Sequence, residues 1–243
     1  MTKSKVYQKR FYRELTKGSD LIGQEVIVKE TDLFIFAEKD IRPIAEGIVI
    51  KYRAEIEDYI SDRPEFMTSL EPISHDPLAA DIIKEMIRTT GLAGVGPMAS
   101  VAGAIDNFVG NELLAYSKQV IIENGGDIFI KSDKVRTVAI YAGDSPLSNK
   151  IFIKIKPEDT PIGVCTSSGT IGHSLSFGKA DACVIIAKSA TLADAVATAA
   201  CNRIKEKKDI APSLEFALSI KGVKAAVAIL GKEFGSMGDI ELV

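Results

Sequence analysis

The chain has 243 residues, 46% apolar and 26% charged, with a formal net charge of −3; this is ordinary globular material, enough for one large domain or two small ones. The balance offers no basic field for nucleic acid, and the one basic cluster, residues 3–13, reads as a solvated N-terminal arm. No apolar run reaches the roughly 18 residues of a membrane span, and the N-terminus has charge without an apolar leader core, so neither a span nor a signal peptide is expected and the chain reads as cytoplasmic.

In chain order, QEVIVKETDLFIFAE alternates on both sides of Thr31-Asp32 and predicts a β-hairpin. KDIRPIAEGIVIKYRAEIEDYI predicts a helix with Pro43 in its first turn, where a missing N–H costs nothing. SHDPLAADIIKEMIRTTG has a cap region around His75, an early proline, helical apolar spacing and Gly91 to close a second helix. PMASVAGAIDNFVGNELLAYS predicts a third, whose small residues suit a buried place against a sheet. The period then switches to two in QVIIE, DIFIK, RTVAIYA, IFIKIK and IGVCTSS, short runs that predict a largely antiparallel sheet. A loop, SGTIGHSLSFGKAD, leads to the strand ACVIIAK, the helix SATLADAVATAACNRI, a shorter helix APSLEFALSI and two closing strands, AAVAIL and DIELV. Helices and strands in blocks rather than strict alternation predict an α+β layer architecture.

Three glycine-containing stretches are candidates for chemistry. In ENGGDIFI, Asn124-Gly125 is a hairpin-turn signal, while Gly126 and Asp127 exceed what a turn requires and leave bare backbone beside an acceptor. CTSSGTIGHSLSFG, with six hydroxyls, three glycines and His173, could wrap phosphate with N–H and hydroxyl groups through Thr166, Ser167, Ser168 and Gly169. AGVGPMASVAGAID places glycines ahead of a helix N-terminus, where an anion is favoured. Cys165 with His173 also permits a nucleophile–base pair, against the commoner fate of a buried strand cysteine. The odd count of Cys165, Cys183 and Cys201 at wide spacing fits no disulfide framework and points to a reducing compartment. In SATLADAVATA, Asp194 and Thr198 stand four apart on one helix face. They read either as oxygen ligands for a divalent ion or, through Thr191 and Asp194 spelling T-x-x-D, as a helix capping itself.

Taken in order, VIIENGGDIFI, CTSSGTIGHS and VIIAKSATLADAVATAACN resemble the motifs of the ApbE superfamily, the magnesium-dependent flavin transferases, and more closely its small UPF0280-type branch. The resemblance implies one ApbE-like (T-fold-like) α+β domain over residues 1–243, with helices packed on antiparallel sheets. It implies Mg²⁺ held by Asp194 and Thr198, and FAD or FMN lined by Gly125, Gly126, Thr166, Ser167, Ser168, Gly169 and His173. Asp106, Asp127 and His173 are the candidates for acid–base work. The implied partner is a small-molecule nucleotide, with a protein acceptor where transfer occurs. The chain departs from the full-length transferases in two places: LSFGKAD stands where they carry D-P-x-T-G, and Asp106-Asn107-Phe108 follows Gly103-Ala104-Ile105 where they carry G-A-I-A-K-G. Two functions follow: a metal-dependent enzyme acting on a flavin nucleotide or similar pyrophosphate, or a flavin- or partner-binding protein that has kept the fold without the reaction. Either expects the loop of residues 165–178 beside the Asp127 turn and the start of the Asp194 helix, with His173 at the pocket.

Overall fold

The computed structural model describes residues 20–170 and 176–243. A hairpin of β1 (Ile22–Val28) and β2 (Thr31–Ala37) leads to helices α1 (Arg42–Asp62), α2 (Glu65–Thr68), α3 (Asp81–Ala93) and α4 (Val101–Leu113), then to the hairpin β3 (Val120–Asn124) and β4 (Asp127–Lys131). After β5 (Arg136–Ala139) and β6 (Phe152–Ile155) the scheme recurs. β7 (Ile162–Ser167) and β8 (Ala182–Ala187) are followed by α5 (Ala190–Arg203), α6 (Ile210–Ser219), β9 (Val223–Leu230) and β10 (Glu233–Gly238), and β11 (Glu241–Leu242) ends the described elements.

The strands form an antiparallel eight-stranded sheet of order β1-β2-β3-β4-β7-β8-β9-β10 and a three-stranded sheet β11-β6-β5. Two strand–helix–strand halves thus meet at one seam, the pairing of β4 with β7. The expected α+β arrangement of helices on antiparallel sheets is the observed one. It has three layers. One face of the large sheet packs on the helices through residues such as Leu33, Ile35, Ile122, Phe129 and Ile185, and the other packs on the small sheet through Ile162, Val164, Val184, Ile186 and Val227. β8 shows why both are needed: Cys183, Ile185 and Ala187 face the helices, Ala182, Val184 and Ile186 face the small sheet, and all six are buried. No single helix among the described residues is long and apolar enough to cross a membrane.

Local chemistry shifts several expected boundaries. The first hairpin turns at Lys29-Glu30, with Lys29 at φ +53°, because Thr31 and Asp32 already pair with Val28 and Ile27. The second helix starts late, since the Asp76 carboxylate takes the Leu78 N–H (3.0 Å) and holds the proline segment in a turn; exposed His75 makes no cap. That helix runs past Gly91 because Thr90 and Ala93 continue its buried face, and it stops at Gly94 in the left-handed conformation (φ +73°). α4 is buried along one side, as its small residues predict. β10 was not legible in EFGSMG, whose glycines interrupt any alternation; its pairing with β9 at the sheet edge makes it a strand.

Candidate functional site

The site is built around α5. Ser189 caps the helix by accepting the Leu192 N–H (3.2 Å), so the expected Thr191–Asp194 capping box does not form. Thr191 lies inside the first turn with its hydroxyl buried and unpartnered. Alanines let α5 sink between α4, β7 and β8, and ten of its residues are buried. From Asp194 onward its half-buried positions are Asp194, Thr198 and Asn202, a stripe at i, i+4 and i+8. α4 approaches this stripe at Gly103, whose N–H donates to Asp194 Oδ2 (2.9 Å). A Cβ there would lie 2.3 Å from the Ala190 carbonyl oxygen and 2.7 Å from Asp194 Cβ, so only glycine allows this contact. One turn on, Asn107 Oδ1 accepts the Ala190 N–H (3.2 Å) and ties α4 to the start of α5.

Below the helices, Asn124 and Asp127 close the β3–β4 turn over Gly125 (φ +68°) and Gly126 (φ +114°), a conformation with both central residues left-handed that glycine adopts freely. The hairpin reading of ENGGD holds, and the turn places Asp127 at the seam, opposite Cys165 in β7, where its Oδ1 accepts the Thr166 N–H (3.3 Å). Asp106, on the buried side of α4, completes a group of carboxyls drawn from α4, β4 and α5. Neither Asp106 oxygen makes a hydrogen bond of good geometry, although the Asn124 side chain faces it.

These acids act on one another, and among the described residues no lysine or arginine is a leading cause of their shifts. Burial pushes the Asp127 carboxyl up to about 7; hydrogen bonds from Cys165 and Thr166 hold it back, and Glu123 adds to the rise. Burial and then repulsion from Asp127 carry Asp106 and Asp194 well above the ordinary carboxylate range. The same surroundings raise the buried Cys165 thiol, which points to the Ala190 carbonyl oxygen (3.4 Å). A thiolate nucleophile at Cys165 is disfavoured, and Cys183 and Cys201 are likewise buried free thiols. Among the described residues, no group of three or more His, Cys, Asp or Glu side chains is arranged to hold a metal ion.

The hydroxyl-rich stretch fits the expectation only at its root. Thr166 and buried Ser167 lie in β7, and Thr166 bonds to Asp127. Beyond them the backbone N–H groups are already used: Gly169 donates to the Ala180 carbonyl (2.9 Å) and Thr170 to Ser168 Oγ (3.1 Å). The Thr170 hydroxyl donates to Asp181 (3.0 Å), so Ser168 and Gly169 are tied toward β8 rather than to Asp194. The far end of the stretch meets the end of α5 instead of its start: Asn202 Oδ1 accepts the Phe177 N–H (2.7 Å) and the Ser176 hydroxyl (3.3 Å). His173 lies outside the described residues. Asn107 and Asn202 were missed by sequence reasoning; Asn202 carried a readable signal, as the third rung of the Asp194–Thr198 spacing.

A family model described as AbpE bacteria matches residues 13–233. A UPF0280 protein of Methanococcus aeolicus is 42% identical over 226 residues, covering 90% of this chain and 91% of that protein. Another from Methanocaldococcus jannaschii is 40% identical over 227 residues, with coverage of 90% and 92%. Among solved structures, the apo form of the Pseudomonas stutzeri flavinyl transferase ApbE aligns with a TM-score of 0.61 at 15% identity, over 90% of this chain and 94% of that one. The flavin transferase ApbE from Vibrio cholerae aligns with a TM-score of 0.59 at 11% identity, over 90% and 97%.

Proposed function

The chain belongs to the UPF0280 family of ApbE-like proteins, and from that premise we propose that it binds a flavin nucleotide, FAD or FMN, or a related pyrophosphate, together with Mg²⁺ at the α5 stripe, and cleaves or transfers it. The observation that carries the reading is the group of carboxyls of Asp106, Asp127 and half-buried Asp194, drawn together from α4, β4 and α5 with no cationic side chain among the leading groups that tune them in the described residues, beside a helix that offers Asp194 and Thr198. An all-oxygen donor pair suits a hard divalent ion, which takes one or two protein ligands and fills the rest of its octahedron with phosphate and water; three clustered acids are not required. Asp194 and Thr198 are the residues that would hold it. When bound, Mg²⁺ supplies neutralisation of charge on the pyrophosphate oxygens.

The protein's own groups supply the rest. Gly103 orients the Asp194 carboxylate through Oδ2. Asp127, pushed up to about 7, is divided between its acid and base forms near neutrality, the condition for moving a proton to or from a reacting group. Burial and the neighbouring Asp127 push the Asp106 carboxyl well above the ordinary range, which favours the form that can donate a hydrogen bond. The Thr166 N–H holds Asp127 through its Oδ1 (3.3 Å), and Gly125 and Gly126 offer bare backbone beside it.

Incubation with FAD and Mg²⁺, followed by chromatography, tests the reading: FMN and AMP should accumulate, and chelation of Mg²⁺ should stop them. The LSFGKAD departure supports a second reading, a binding protein without the reaction, in which FAD raises the melting temperature and is recovered intact. Absence of both turnover and Mg²⁺-dependent binding of FAD, FMN and pyrophosphate would remove the proposal.

A further inference from the structure

The neck of the loop after β7 is held by direct backbone contact. A Cβ on Gly169 would lie 2.2 Å from the Gly178 carbonyl oxygen, and a Cβ on Gly178 would lie 1.9 Å from that of Cys201. The two ends of the loop and the last turn of α5 are therefore stacked with no room for side chains between them. Asn202 fixes the upper end through its bonds to Phe177 N–H and Ser176 Oγ, and Ser176 Oγ in turn accepts the Gly178 N–H (3.2 Å). On this rigid mount stands Phe177, 54% exposed. An aromatic ring left in water on a backbone held by its neighbours has been given position without burial, the opposite of what core packing does with phenylalanine.

Phe177 belongs to the SFG segment where the chain parts from the transferase pattern, so nothing assigned to that pattern accounts for it. Asn202, which holds it, is the third rung of the stripe that begins with Asp194. Eight residues of helix separate Asp194 from Asn202, about 12 Å, the span over which a nucleotide reaches from its pyrophosphate to a ring. Resting on the proposed binding of a nucleotide at Asp194 and Thr198, we infer that Phe177 is a stacking platform for the flat heterocycle of that nucleotide and Asn202 its positioning residue. The stripe then measures the ligand, phosphate at one end and ring at the other.

Titration calorimetry with Mg²⁺ and four probes, FAD, FMN, ADP and inorganic pyrophosphate, tests this. Phe177→Ala should weaken FAD about tenfold or more, as loss of one ring stack does, and Phe177→Trp should stay near wild type. FMN loses affinity with FAD if the ring is the isoalloxazine, ADP if it is adenine. Pyrophosphate should bind the variants as it binds wild type, since a merely structural lesion would weaken it too. Asn202→Ala should follow Phe177→Ala on every probe. Unchanged FAD affinity in Phe177→Ala, or an equal loss for pyrophosphate, overturns the inference while leaving the binding site; failure of wild type to bind any of the four overturns the reading beneath it.

Discussion

The two faces of the eight-stranded sheet are made by the same strands in alternation, yet they are stocked differently. The face toward the small sheet has a core of Ile, Val and Ala. The face toward the helices holds a larger apolar core and, at the seam, three carboxyls and the Cys165 thiol, all raised by burial. One face spends its burial on cohesion alone. The other gives part of it up to keep acids close together, an arrangement that costs stability wherever they must ionise.

Substitutions can break that contrast. On the apolar face, Ile186→Ala should cost about 2–5 kcal/mol in urea denaturation, equally at pH 5 and pH 8, with any ligand response intact. At the seam the dependence is on pH. Asp127 has a folded-state pKa raised from 3.8 to about 7, so between those values the unfolded chain releases a proton that the folded one keeps. Stability is then full at or below about pH 4, falls as pH rises through this window, and has lost its share above the folded value, a drop of a few kcal/mol. Asp127→Asn should flatten that slope in denaturation series from pH 5 to 8, and a slope unchanged by asparagine would place the acid burden elsewhere.

Gly103→Ala drives a Cβ into the Ala190 carbonyl and should cost roughly 1–3 kcal/mol, while loosening Asp194 enough to abolish the Mg²⁺-dependent thermal shift with nucleotide. The smallest stability effect is the most telling. Thr198→Ala should leave apo stability unchanged or raise it by a few tenths of a kcal/mol, since alanine is the better helix former, yet remove the shift with Mg²⁺ and FAD. A Thr198→Ala protein that keeps the full shift would take the metal role away from the stripe.

Much of this was legible in the sequence where periodicity and composition agree. The antiparallel strands follow from short alternating runs of Ile and Val, and burial of α4 from its Ala and Gly content. The Asn124-Gly125 turn announced its own geometry and, by register, the location of Asp127. What did not show is contact across long separations. Asp194 looked like the end of a capping box because nothing near it in sequence names Gly103 as its partner. The SSG stretch looked like a phosphate cradle because its N–H groups are consumed by Ala180 and by its own hydroxyls, which no local pattern reveals. Nor does the sequence show that Gly169 and Gly178 serve close approach of one backbone to another.

Among the described residues, the two strand–helix–strand halves touch by strand pairing only where β4 meets β7. Asp106 and Asp127 belong to the first half, Thr166, Asp194 and Thr198 to the second. Neither half owns a working set of groups, so the acid cluster comes into being only when the seam closes over the intervening chain, a late event by the entropy of closing long loops. On the proposed function, a half-made chain therefore lacks the groups that would hold a nucleotide until the seam has closed.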